Sequence, residues 1–259
     1  MNRVALSIFN INIYWYSLCI LLGVIIAYIL ILQESKKHNI HKEKVSDIVF
    51  YTLIIGILGA RLYYVIFNLD YYLAYPSEIL KIYNGGLAIH GGIISGIIFL
   101  YFYLKKRNID FIKFLDICAP ALIIAQSIGR WGNFFNQEAY GSLTTLSNLQ
   151  KLHIPKFIIN GMYINNNYYY PTFFFESILC LIGFIIIIII RQNKNIKIGI
   201  QIGFYFIWYG IIRFFIEILR TDSLMLFNLK VAQIISIILI IIGIILIIKS
   251  KNKDNYYKE

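Results

Sequence analysis

The stretch Gly129-Arg130-Trp131-Gly132-Asn133-Phe134-Phe135-Asn136-Gln137-Glu138-Ala139-Tyr140-Gly141 follows directly on an apolar run over residues 117–128. The run reads as membrane helix, and the stretch after it sets a guanidinium, carboxamides and a carboxylate among glycines. Hydrocarbon is the worst solvent for such groups, so their position points to a binding or reaction site. A helix end is the plain alternative, since helix C-termini favour both cations and glycine. The rest of the chain decides between the two.

The 259 residues are 59% hydrophobic and 14% charged, with a mean hydropathy of +0.70. A soluble domain averages about a quarter charged residues, and here the charges form short bursts between long apolar runs. The pattern predicts an all-α, polytopic membrane helix bundle of about seven transmembrane helices. The spans are placed at Ile13–Leu32, Asp47–Phe67, Leu87–Leu104, Phe114–Trp131, Thr172–Ile190, Ile198–Leu219 and Val231–Ile248. They fill residues 1–259 as a single membrane domain, with a small external loop or cap at roughly residues 135–171. Glycines 85, 86, 91, 92 and 96 permit close helix approach or a broken third span, and Pro120 is expected to kink the fourth. The first apolar run lacks a cleavage-like exit and is kept as an anchor.

Orientation follows from the basic residues. Most of the 24 Lys and Arg lie after spans one, three and five or in the tail, including Lys36, Lys37, Lys42, Lys44, Lys105, Lys106, Arg107 and Lys113. This puts the N-terminus outside the cell and the C-terminus in the cytoplasm. The net charge of +11 is then mostly a topology signal and not a nucleic-acid footprint, and the basic loops also favour anionic lipid.

In that topology Tyr16, Arg61, His90, Arg130, Asn133, Asn136, Glu138, Glu176, Arg213 and Glu217 all fall toward the outer leaflet. Tyr209, Arg213, Glu217 and Arg220 step by four, four and three, one stripe on span six. With Arg61 and Arg130 on the same side as Arg213, the arginines exceed what the available carboxylates need as partners, and surplus guanidinium near headgroup level suits a phosphate. His90 stands before Gly91-Gly92, which would open space for a substrate beside an imidazole able to accept a thiol proton. Cys19, Cys118 and Cys180 lie singly in apolar spans, His38 and His41 share a lysine-rich loop, and no metal or nucleotide motif occurs. No metal and no cofactor are expected.

On these residues the chain resembles the phosphatidylglycerol–prolipoprotein diacylglyceryl transferase family. The likeness rests on Gly129, Arg130, Gly132, Asn133, Phe134, Asn136, Glu138 and Gly141. It extends to Trp15-Tyr16, Gly59-Ala60-Arg61, His90-Gly91-Gly92, Pro171 with Glu176, and Tyr209-Gly210, Arg213, Glu217 and Arg220-Thr221-Asp222. Tyr14 and Val231-Ala232 depart from the family's commoner residues. The resemblance implies transfer of diacylglyceryl from phosphatidylglycerol to the lipobox cysteine of a prolipoprotein, the first step of lipoprotein maturation, with release of glycerol phosphate. His90, Arg130 and Arg213 would be catalytic. Tyr16, Arg61, Asn133, Asn136, Glu138, Glu176, Tyr209 and Glu217 would bind substrate. An anion or lipid transporter, or a non-catalytic lipid-binding membrane protein, are the competing classes.

Overall fold

The structure, a computed structural model, describes residues 3–8, 11–82 and 85–257. A hairpin of β1 (Val4–Ile8) and β2 (Ile11–Tyr14) precedes α1 (Trp15–Lys36) and α2 (Lys42–Ile66). The short α3 (Leu69–Ala74) and a 3-10 turn (Pro76–Leu80) lead to α4 (Ile89–Lys106) and α5 (Phe111–Asn136). Then come β3 (Leu143–Thr144), α6 (Leu146–Lys151), α7 (Lys156–Gly161), β4 (Tyr163–Ile164) and β5 (Asn167–Tyr169). The chain continues through α8 (Thr172–Arg191) and α9 (Ile200–Leu219), a hairpin of β6 (Met225–Leu226) and β7 (Leu229–Lys230), and α10 (Val231–Ser250).

Six of these helices, α1, α2, α5, α8, α9 and α10, are long and apolar enough to cross a membrane. The third expected span is α4. It is continuous through Gly91-Gly92 and Gly96, so the broken-helix option falls away, but His90, Lys105 and Lys106 dilute its hydropathy. Span one begins later than expected, because Ile13 and Tyr14 belong to β2. Span four ends later. α5 runs past Trp131 to Asn136, so Asn133 and Asn136 lie on the helix and not beyond it.

The chain forms two compact units, Met1–Ile31 with Leu115–Glu259, and Leu32–Phe114. In the first, α9 packs on α8 and α10. The segment between α5 and α8 is a folded cap with its own three-stranded sheet, ordered β3-β5-β4. Its Leu149, Ile154, Ile158, Ile159 and Met162 close an apolar cluster with Phe134 of α5 and Phe173 of α8. That burial holds the last turns of α5 in place, the ones carrying Arg130 and Asn133.

α5 stays helical through Pro120, which has no N–H to give to the carbonyl four residues back. That carbonyl, of Asp116, accepts instead from Arg191 Nη2 at 2.7 Å. The Asp116 carboxylate accepts the Gly199 and Ile202 N–H groups at 2.6 and 2.8 Å, capping α9 from another helix. Tyr256, fully buried, lies under Arg191 with its ring 5.8 Å from the guanidinium. These groups tie α5, α8, α9 and the C-terminal tail together at one end.

In the second unit α2 and α4 cross closely. A Cβ on Gly91 would stand 2.5 Å from the Gly59 carbonyl, and one on Gly92 would stand 3.1 Å from that of Gly56. The glycines beside His90 therefore serve the close contact of α4 with α2.

Candidate active site

At the other end of α5, α8 and α9 four charged side chains meet. Arg130 Nη2 lies 2.7 Å from Glu176 Oε1, Arg213 Nη1 lies 3.5 Å from Glu176 Oε2, and Arg213 Nη2 lies 2.6 Å from Glu217 Oε2. Both glutamate side chains are almost fully buried, while the Arg130 and Arg213 side chains are 22% and 16% exposed. The surplus of positive charge expected from sequence is not present within this group, because two arginines face two glutamates. The contacts are close but poorly aimed: Arg213 Nη1, Glu176 Oε1 and Glu217 Oε2 are buried without a hydrogen bond. Charge is thus neutralised while hydrogen-bonding capacity is left over, which fits a group held for a further polar ligand.

Local sequence explains the convergence. Ser127 Oγ donates to the Ser177 carbonyl at 2.8 Å and Ser177 Oγ donates to the Ser127 carbonyl at 2.9 Å. Trp131 Nε1 adds a bond to Ser177 Oγ. This reciprocal clamp fixes the register of α5 on α8 one turn from Arg130 and one residue from Glu176. Toward α9, Gln126 Nε2 donates to Tyr205 Oη at 2.9 Å and Arg130 Nη2 to Tyr209 Oη at 3.3 Å, with the two tyrosine rings stacked. Gln126, Ser127, Ser177 and Tyr205 escaped the sequence reading. Their signal was spacing, since Gln126 and Tyr205 stand one turn before Arg130 and Tyr209.

The span-six stripe is shorter than expected. Tyr209, Arg213 and Glu217 share the site, but Arg220 has left the helix and grips Asp222 with two bonds of 3.0 and 2.9 Å. Burial pushes the Asp222 carboxyl up, yet the Arg220 fork outweighs it and holds that carboxyl below its usual range. Lys230 Nζ closes the end of α9 on the Glu217 and Arg220 carbonyls.

Beyond Arg130, Asn133 Nδ2 donates to Glu138 Oε1 at 3.0 Å across a turn in which Gln137 and Ala139 take φ of 51° and 55°. Asn136 closes α5 without a hydrogen bond from its side chain among the described residues. Tyr16 packs on Gly132. A Cβ at Gly132 would stand 2.7 Å from Tyr16 Cδ2 and 3.3 Å from its Cα, whereas one at Gly129 would meet only Ile20 Cδ1 at 3.5 Å. Gly132→Ala is therefore expected to destabilise the protein by about 1–3 kcal/mol through overpacking. Gly129→Ala should be neutral or stabilising by up to about 1 kcal/mol. Melting of the two purified variants in detergent checks this, and equal melting temperatures would refute it.

In the second unit, Arg61 donates to the carbonyls of Ile79, Gly85, Gly86 and Glu78 at 2.6–2.9 Å and lies 5.2 Å from the Tyr72 ring. Four of its five N–H groups are engaged, so here it ties together the loop segments 78–79 and 85–86. In that loop the hydrogen bond from Tyr71 Oη, at 2.7 Å, holds the Glu78 carboxyl below its usual range and pushes the Tyr71 phenol up. His90 is in the first turn of α4, its ring 6.5 Å from that of Tyr63 and without a hydrogen bond among the described residues. No cluster of three or more His, Cys, Asp or Glu able to hold a metal occurs among the described residues.

Fold and site together define a polytopic helical membrane protein with two mostly buried arginines gathered around one carboxylate. The chain belongs to the prolipoprotein diacylglyceryl transferase family, whose model matches residues 3–249. It is 50% identical over 258 residues to the phosphatidylglycerol–prolipoprotein diacylglyceryl transferase of Clostridium novyi (strain NT), covering 99% of each chain. It is 47% identical to the enzymes of that name from Staphylococcus aureus (strain MSSA476) and Streptococcus mutans serotype c. These matches cover 98% and 96% of this chain, and 91% and 95% of the relatives.

Proposed function

We propose that this protein transfers the diacylglyceryl group of phosphatidylglycerol to the lipobox cysteine thiol of prolipoproteins, the first step of lipoprotein maturation. The observation that carries the reading is the convergence of Arg130 and Arg213 on Glu176 with polar capacity left unused. In the reaction the cysteine sulfur bonds to the glyceryl carbon and the carbon–oxygen bond to phosphate breaks. The electron pair of that bond goes to the phosphate oxygen, and glycerol phosphate leaves carrying one more negative charge. Two guanidiniums in a water-poor setting stabilise that growing charge more than they stabilise the lipid before reaction, which is the condition for catalysis.

His90 takes the thiol proton. Glu176 and Glu217 hold the arginines, Tyr209 steadies Arg130, and Asn133, Asn136, Glu138 and Tyr16 orient the headgroup. Arg61 braces the backbone of residues 78–79 and 85–86 ahead of His90. The basic turns and tail face the cytoplasm, so the N-terminus and the arginine site belong at the outer leaflet, where lipid headgroup and exported cysteine are both at hand.

The test is reconstitution with phosphatidylglycerol and a lipobox peptide, read as peptide mass gain. Wild type is expected to add one diacylglyceryl group, and His90→Ala to be slower by about 10²–10⁴-fold, the usual contribution of a positioned base. Folded wild type that transfers no lipid would overturn the assignment. A normal rate in His90→Ala would remove only the base.

A further inference from the structure

Two basic turns of the second unit are copies of one motif. Lys36-Lys37-His38-Asn39-Ile40 matches Lys105-Lys106-Arg107-Asn108-Ile109, and Lys44 and Lys113 follow at equal distance. The backbone repeats too. Asn39 and Asn108 both take φ of 55°. The Ile40 N–H reaches the Ser35 carbonyl at 3.1 Å and the Ile109 N–H the Leu104 carbonyl at 3.0 Å, the same left-handed helix ending.

Both turns line one cavity of about 380 Å³, and each contributes the equivalent residues: His38 with Arg107, Asn39 with Asn108, Lys44 with Lys113. Its only lining acid, Asp110, accepts the Lys113 backbone N–H at 2.7 Å and so caps the following helix. His38 lies 3.6 Å from Glu34. Arg107 leans on the Tyr103 ring and donates to its hydroxyl, and no carboxylate pairs with Lys44, Arg107 or Lys113 among the described residues. Three cations around a small cavity walled by Ile40, Ile109 and Phe114 repel one another, and an anion seated there would relieve that repulsion.

We propose that this cavity binds a phosphate-bearing anion, the headgroup of an anionic lipid, with the apolar wall taking the start of its chains. It shares no residue with the Arg130–Arg213 group and does not depend on the reaction assigned to that group. The experiment is native mass spectrometry of the full chain in zwitterionic detergent with dioctanoyl phosphatidic acid. Dioctanoyl phosphatidylcholine and inorganic phosphate serve as the other probes.

Wild type is expected to hold one phosphatidic acid more than Lys44→Gln/Arg107→Gln/Lys113→Gln. Affinity at this site should fall about fivefold for Lys44→Gln or Lys113→Gln alone, and about a hundredfold for the triple variant. Transfer activity and melting temperature should stay unchanged, and Lys44→Arg/Arg107→Lys/Lys113→Arg should keep the lipid. Resistance of the extra lipid to equal inorganic phosphate supports a headgroup, and its displacement supports the same site with a free anion as ligand. Equal lipid counts in wild type and the triple variant, or equal binding of phosphatidylcholine, would overturn the proposal.

Discussion

Arg130→Ala is expected to lower the rate of diacylglyceryl transfer by about 10³-fold or more, the scale seen when a guanidinium that meets developing phosphate charge is removed. Two effects add. The leaving phosphate loses a donor, and Glu176, buried to 2% exposure, is left with only the 3.5 Å contact to Arg213. Stranding a buried carboxylate costs about 3–5 kcal/mol, so loss of folded protein could mimic loss of chemistry. Arg130→Lys separates the two. Lysine keeps the charge beside Glu176 and so keeps the fold, but it is a point charge without the planar fork that reaches Glu176 and Tyr209 together. Folded, lipid-binding Arg130→Lys should remain at least about 10²-fold slow. A folded Arg130→Lys with the wild-type rate would show that charge alone suffices and would dismantle the two-guanidinium mechanism.

How far the sequence reached differs from element to element. α8 was legible almost to the residue, because the stretch between Pro171 and Arg191 is apolar except for Thr172, Glu176 and Ser177 near its start. The end of α5 was not. The charge at Arg130 looked like the end of a span, whereas Phe134 packing against Phe173 and the cap carries the helix on to Asn136. The hairpins β1-β2 and β6-β7 are built from strands of only two to five residues, too short for a period to separate them from the apolar spans beside them. Within the site, Tyr209, Arg213 and Glu217 were found because helical spacing alone places them on one face. The role of Arg61 was hidden, since its partners are carbonyls of a loop whose return path no local pattern gives. Pro120 announced an orphan carbonyl at Asp116 but could not announce that Arg191, on a different helix, would fill it.

The sharpest test of how the site is held is Glu176→Gln. The carboxylate gives one oxygen to each arginine, and its position is fixed by the serine clamp one residue away. Two consequences pull in opposite directions. Without the carboxylate the guanidiniums repel each other and lose their shared anchor, so the geometry that meets the leaving phosphate loosens. Small displacements of positioned groups cost about 10²-fold in rate. At the same time the phosphate no longer competes with a buried negative charge, so the lipid in its ground state is bound at least as tightly. The expected result is a kcat lowered about 10²-fold with a KM for phosphatidylglycerol that is unchanged or lower, the signature of an interaction realised in the transition state. Steady-state kinetics over a range of phosphatidylglycerol in mixed micelles reads both constants. A raised KM with normal kcat would make Glu176 a ligand of the ground-state lipid, and the arginines would then owe their placement to the helices alone.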